Sequence, residues 1–362
     1  PVKVISRPDQ FVGVTTYSGN GGTQTINTGL KPDLVWLKCI NATKTHRLYD
    51  TVRGATKVLQ PDLTDAEGTD SAGLTSFNSD GFTLGNSGGH NGGSDTMVAW
   101  FWKAGGNKNT YNVDGVGYAS AAAAGLSGGE RALTGCSVNT KLGFSIISWV
   151  NGTTTNPSST RVRHGLNQVP DLVIYKDRDS GSSQWAVKME TFSNPVRDEL
   201  YLETNQAKTT AGVDLYFRDS DYIGHRETSL GGDGGKIIAY CWHNVPGLQK
   251  FGSFTGNNAT DGAFIELGFR PSLVWIKRTG ATGHWFIIDN KRTKTFNPVD
   301  EYAFADIANV YNPSNGGPSG GVADFLSNGI KLRENNAGAN EADSYIYCAW
   351  AEAPSVDLFG GG

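Results

Sequence analysis

Short apolar runs of strand length recur along the chain, separated by stretches dense in Gly, Asn, Asp and Ser. The run Leu34-Val35-Trp36-Leu37 is apolar at every position. That is the pattern of a central sandwich strand covered on both faces. Residues 237–242 and 345–350 read the same way. The polar stretches between them carry the residues that favour turns. No run shows a convincing helical period, and residues 51–60 read either as a short helix or as a strand and turn. The pattern predicts an all-β chain.

The pattern repeats three times. Pro32-Asp33-Leu34-Val35-Trp36-Leu37-Lys38 returns as Pro170-Asp171-Leu172-Val173-Ile174-Tyr175-Lys176 and as Pro271-Ser272-Leu273-Val274-Trp275-Ile276-Lys277. A Gly-Leu or Gly-Phe pair precedes each: Gly29-Leu30, Gly165-Leu166 and Gly268-Phe269. An aromatic, hairpin-like string comes earlier still: Tyr17-Ser18-Gly19-Asn20, Trp149-Val150-Asn151-Gly152 and Phe254-Thr255-Gly256-Asn257. Each repeat closes on an apolar strand that ends at Trp102, Trp242 or Trp350. The first and third repeats also share Asp-x-x-Arg after an aromatic strand, as Asp50/Arg53 and Asp289/Arg292. His46 and His284 stand close before them.

The period is too long for a solenoid or propeller repeat and suits whole β-sandwiches of about 100 residues. The expected architecture is three tandem antiparallel β-sandwich modules of jelly-roll or concanavalin-A-like form. The first module is expected over residues 1–106, the second over 142–247 and the third over 248–362. Residues 107–141, rich in small residues, read as a linker or packed arm.

Composition agrees with this reading. Glycine supplies 48 of 362 residues, aromatics 10% and charged residues only 18%, which disfavours a mostly helical chain. The net charge of −4 implies no basic face for nucleic acid. No apolar stretch approaches the ~20 residues that span a bilayer as a helix. The start, Pro1-Val2-Lys3-Val4-Ile5, shows no signal-peptide pattern, and with no initiator Met the chain is expected to be a processed part of something longer. Cys39, Cys136, Cys241 and Cys348 form no C-x-x-C pair, and three of them sit in apolar runs, so they read as buried small hydrophobes.

Candidate chemistry is sparse. The histidines form no metal-binding spacing. His46 and His284 are expected to make structural hydrogen bonds, and the two Asp-x-x-Arg pairs to be strand-end ion pairs. Asp177/Asp179 and Asp219/Asp221 have the i, i+2 spacing that puts two carboxylates on one strand face about 6.6–6.8 Å apart, as an inverting glycosidase needs. Both pairs lie in turn-like context. Asp219 and Asp221 are also the weak candidates for a metal site. Loop aromatics beside Asn and Asp are how β-sandwich lectins stack on sugars, and Tyr111, Tyr118, Tyr222 and Tyr311 are the candidates. No cofactor is implied.

The first repeat, from Tyr17 through Pro32-Asp33-Leu34-Val35-Trp36-Leu37-Lys38, resembles a module repeated in virion proteins of marine bacteriophages. So do Leu48-Tyr49-Asp50-Thr51-Val52-Arg53, Ser76-Phe77-Asn78-Ser79-Asp80-Gly81-Phe82 and Val98-Ala99-Trp100-Phe101-Trp102. The second repeat looks like that family's following module. In the family, such modules often follow a SPRY-like, concanavalin-A-like domain, and this chain is expected to depart from that pattern by lacking such an N-terminal portion. The resemblance implies a virion surface protein without enzymatic activity. It would be a tail fibre or spike in host-surface adhesion, with other virion proteins and possible host glycan as partners. A trimer is the expected assembly. Capsid decoration is the alternative, and a glycan-degrading spike the second alternative.

Overall fold

The computed structural model describes residues 4–293, 297–310, 321–333, 335 and 338–352. It is all-β: among the described residues the helical elements are three single 3-10 turns. Residues 51–60 resolve as turn and strand, with the two-residue strand Lys57–Val58 inside them. The Asp50 carboxylate accepts the Val52 and Arg53 backbone N–H groups, and Gly54 and Thr56 take positive φ, so no helical turn can propagate.

The strands fall into three units of one topology. In the first, a four-stranded sheet runs in the order Val12–Ser18, Thr96–Trp102, Leu34–Cys39, Arg47–Asp50. A small sheet of Gln24–Asn27, Gly81–Leu84 and Leu74–Asn78 faces it. The third unit repeats this with Gln249–Thr255, Ser344–Ala351, Pro271–Arg278, Trp285–Asp289 and an added Tyr302–Phe304. The second has the same four-strand centre, Phe144–Val150, Lys236–Trp242, Leu172–Asp177 and Ala186–Met189, inside a nine-stranded sheet.

The extra strands of that sheet decide between two alternatives and correct one expectation. Residues 107–141, read as a linker or packed arm, are packed: Tyr111–Val113, Val116–Tyr118 and Leu133–Asn139 extend the second unit's sheet. Cys136 and Val138 are fully buried there, which anchors the segment despite its small residues. The sheet is not wholly antiparallel, however, because Tyr111–Val113 runs parallel to Leu133–Asn139.

Each large sheet is apolar on both faces for two different reasons. On one face, Val35, Leu37, Met97, Ala99 and Phe101 meet Ile26, Phe82 and Leu84 of the first unit's own small sheet. The second and third units bury separate cores in the same way. On the other face, alternate residues of all three large sheets share one central core. The period-2 alternation of strands sends Leu34 and Trp36 to this core and Val35 and Leu37 to the sandwich.

The closing tryptophans meet on the central axis of this arrangement. Trp102, Trp242 and Trp350 occupy matching strand positions, with ring centroids 6.3, 5.4 and 6.2 Å apart pairwise. Trp275 packs edge-on to Trp36 at 5.3 Å in the next layer. The third residue at that strand position, Ile174, lies in the same core. Edge-to-face aromatic pairs of this kind add about 0.5–1.5 kcal/mol each beyond area burial.

Side chains lock the seams between units in cyclic order. Lys38, Lys176 and Lys277 end the repeated Pro-x-Leu-Val motif and are each at most 1% exposed. Lys38 Nζ donates to the Ala308 carbonyl of the third unit at 2.8 Å. Lys176 Nζ donates to Thr64 of the first at 3.0 Å, and Lys277 Nζ to Gln206 of the second at 2.7 Å. Burial lowers all three ammonium groups to a pKa of about 8. A second ring of bonds follows. Trp36 Nε1 donates to His46 Nδ1, so His46 carries its proton on Nε2, which donates to Ile307 O at 3.2 Å. Trp185 Nε1 donates to Leu63 O at 3.0 Å, and Trp285 Nε1 to Tyr201 O at 2.9 Å.

The recurring motifs have local causes. Gly29, Gly165 and Gly268 all take φ between +74 and +80°, where other residues are strained. Asp33 receives the Ala104 N–H and Asp171 the Asn244 N–H, each two residues beyond the closing tryptophan. Gly19 and Gly256 leave no room for a Cβ, which would stand 2.1 Å from a backbone carbonyl oxygen in each case. The neighbouring Asn20 and Asn257 exchange amide hydrogen bonds with the buried Asn91 and Asn340.

Candidate functional site

The residues singled out from the sequence divide into structural parts and surface candidates. Trp36, Trp102, Trp242, Trp275 and Trp350 form the central core, and Pro32, Pro170 and Pro271 are buried where the motif strands begin. All four cysteines are buried and unbridged. Asp50 and Asp289 pair with Arg53 and Arg292 at 2.5 and 2.6 Å. These are the strand-end ion pairs that the sequence suggests, and their side chains are fully buried. His46 makes the expected structural bonds. His284 is offset by one position from it, because Trp285 is the residue that matches His46; His284 Nδ1 instead bonds Asp306 at 2.6 Å.

The paired aspartates are occupied. Asp219 accepts the Asp221 and Tyr222 backbone N–H groups at 2.8 and 2.7 Å, and Asp221 pairs with Arg163. Asp177 accepts from Asp179 N and from Ser183 Oγ. Asp219 and Asp177 therefore shape their own turns, while Asp221 and Asp179 pair with Arg163 and Lys236. Among the described residues, no group of three His, Cys, Asp or Glu is placed to hold a metal ion.

Of the candidate sugar-stacking tyrosines, Tyr111 and Tyr118 face each other across one strand pair in the second unit. Tyr111 is half-buried and its hydroxyl donates to Leu133 O at 3.1 Å. Tyr222 lies on the same unit's small sheet, with the Arg161 and Arg163 guanidinium groups 5.2 and 4.9 Å from its ring centre. Tyr311 lies outside the described residues. The structure thus joins Tyr111 with Tyr118 and gives Tyr222 a separate, arginine-flanked setting.

Sequence reasoning missed a cleft of about 360 Å³ between the first and second units. Such a volume lies within the range of small-ligand sites, about 300–1,000 Å³. One wall is the first unit's Phe11, Lys31, Asp33 and the chain from Lys103 to Gly106. The other is Lys108, Asp114, Gly115, Asn139 and Lys141 from the sheet extension. Asp114 and Gly115 both take positive φ and make the tight turn between Tyr111–Val113 and Val116–Tyr118.

Backbone and side-chain bonds brace the two walls. Gly115 N donates to Gly105 O at 2.9 Å, and Ser137 Oγ bridges Gly105 N and Gly106 O. Asn139 Nδ2 donates to Ala104 O at 3.1 Å. The two aspartates are used as struts. Asp33 accepts from Ala104 N, Gly106 N and Thr51 Oγ1, and burial pushes its carboxyl up. Asp114 accepts from Thr140 N and Thr140 Oγ1 at 2.8 and 2.7 Å. The ammonium groups of the cleft lysines have no such partners among the described residues. The local sequence signal for the site was the string Lys103-Ala104-Gly105-Gly106-Asn107-Lys108, which carries no meaning until the extension folds back beside it.

The chain matches, over residues 7–354, a family model described as a domain of unknown function (DUF7483). It belongs to the DUF7483 family. Comparison with curated proteins finds no match. The DUF7483 match covers all three units and the sheet extension together, so the cleft lies wholly inside the matched region.

Proposed function

We propose that this DUF7483 chain is a bacteriophage virion surface protein, a tail fibre or spike component that acts in host-surface adhesion without catalysing a reaction. The observation that supports this best is the closed ring of three sandwich units around one tryptophan core. It sends the large sheets inward and turns the small sheets and their loops outward. One chain thereby supplies the threefold body that a fibre otherwise builds from three chains. The homotrimer expected from the sequence accordingly becomes, in this reading, a trimer of units within a single chain. Other virion proteins are the proposed partners, and host glycan the proposed ligand of the outer loops. The Asp pairs considered for glycan cleavage are engaged in turns, which supports binding over hydrolysis.

The test is immunogold electron microscopy of particles that carry the protein. Gold at the tail tip supports adhesion. Gold distributed over the head overturns it in favour of capsid decoration. Light scattering on the purified chain is expected to give a monomer.

A further inference from the structure

The cleft between the first and second units has an unusual charge state for so acidic a protein. Lys31, Lys103, Lys108 and Lys141 all line it. None of the four ammonium groups takes part in an ion pair or hydrogen bond among the described residues. Elsewhere the described lysines are mostly engaged: Lys44, Lys208, Lys236 and Lys331 in ion pairs, and Lys38, Lys176 and Lys277 on carbonyls. The unpaired lysines are therefore concentrated at one opening, in a chain of net charge −4.

The two carboxylates of the cleft offset only part of this charge: the lysines outnumber them two to one, and Asp33 and Asp114 take their hydrogen bonds from backbone N–H and hydroxyl donors rather than from a lysine. Four like charges around one concavity repel each other and focus a positive potential into it. Phe11 adds an apolar ring to the wall, with Lys103 Nζ 6.0 Å from its centre. Ammonium groups flanking an aromatic ring suit a ligand that is both cyclic and anionic. A disaccharide-sized segment fits the volume.

We infer that this cleft binds an acidic oligosaccharide, a sugar segment that bears carboxylate or sulfate. The inference names a ligand class for the adhesion reading above but does not use the location of the protein on the particle. Binding is electrostatic in its main part and weakens with ionic strength, since the lysine heads are only partly shielded from solvent.

The test is calorimetric titration of the full chain with three probes: polygalacturonate oligomers, dextran sulfate oligomers and neutral dextran oligomers. The anionic probes separate carboxylate from sulfate recognition, and dextran shares its backbone with the sulfated probe. The expected result is binding of at least one anionic probe, no binding of dextran, and loss of at least tenfold in affinity in the Lys31→Glu/Lys141→Glu variant. Lys291→Glu/Lys250→Glu carries the same charge change away from the cleft and is expected to bind as the unaltered chain does. Melting curves of both variants establish that they fold. Failure of both anionic probes overturns the proposal, and so does an equal loss in the two double variants. Gold at the tail tip with no binding would remove the cleft alone, whereas binding with gold over the head would remove the tail reading and keep the cleft.

Discussion

The phenol of Tyr240 donates a 2.7 Å hydrogen bond to the Asp50 carboxylate, 190 residues away in the chain. Asp50 belongs to the first unit and Tyr240 to the second. Trp100 makes the corresponding bond to Asp289 at 3.0 Å, from the first unit to the third. At the remaining seam the matching positions hold Cys348 and Met189, both buried in the central core. At this strand position, then, two seams carry a hydrogen bond and the third is apolar, although Lys277 and Trp285 bond across that third seam elsewhere.

Asp50 also holds Arg53 through a buried ion pair and caps the turn that follows. Asp50→Ala is expected to cost about 3–5 kcal/mol, because it removes the fully buried partner of Arg53 and leaves that guanidinium only the longer pair to Glu67 at 3.3 Å. Tyr240→Phe removes one hydrogen bond and is expected to cost about 1–3 kcal/mol, including the acceptor it leaves. In a double-mutant cycle measured by urea unfolding, the two should be strongly non-additive. Additive losses would mean that the seam bond contributes nothing.

The buried seam lysines give a second expectation. Lys176 Nζ donates to carbonyls of Thr64, Asp177, Ser180 and Ser183. Lys176→Met keeps the stem and strands those acceptors, with an expected loss of at least about 2 kcal/mol. Hydrogen exchange should rise on both sides of the seam, at residues 62–67 as well as 177–183. Exchange confined to the second unit would contradict a role in joining the units.

Histidine burial sets an acid limit. His90, His164 and His225 are held neutral by burial, each with a pKa of about 4. The unfolded chain takes up these protons near pH 6.5, but the folded chain does so only near 4. Between those values the folded state binds fewer protons, so stability is full above pH 6.5 and falls as the pH drops toward 4. Asp62, raised to about 6 by burial, acts in the opposite sense below pH 6, as do the raised Asp33, Asp171 and Glu203. A difference measurement isolates the histidine. His90→Phe should lose about 1–2 kcal/mol less stability than the unaltered chain between pH 6.5 and 5. Identical pH slopes would refute it.

The shared core has a consequence for cooperativity. A single unit expressed alone would expose one whole apolar face of its large sheet, including Trp36, Trp100 and Trp102 in the first. The full chain is expected to unfold in one calorimetric transition, with van't Hoff and calorimetric enthalpies equal. Trp350→Ala in the third unit should remove about 3–5 kcal/mol from that single transition. Three resolved transitions, with only one displaced by the substitution, would show independent units.

Much of this was legible in the chain. Strand-length apolar runs, turn residues and the thrice-repeated motif identify the strands, because strand geometry and turn chemistry act over a few residues. The positive φ at Gly29, Gly165 and Gly268 and the backbone crowding at Gly19 and Gly256 explain why those glycines recur. The candidate site was less legible. Tyr111 and Tyr118 were found as aromatics, but their mutual register needs the hairpin around Asp114 and Gly115. The lysine cleft draws on residues from 11 to 141, which no local pattern connects.

By itself, then, the sequence determined an all-β chain with a repeated sandwich pattern, since strand-length apolar runs and turn chemistry act over a few residues. It also made the motif strands apolar on both faces, without saying what covers the second face. Tertiary structure decided that: the second face meets the other two units around Trp102, Trp242 and Trp350. It likewise decided between linker and packed arm for residues 107–141, which place three strands on the second unit's sheet, and it opened the cleft beside them. The physical reason is burial. An apolar sheet face must leave water, and which partner removes it depends on contacts made across hundreds of residues.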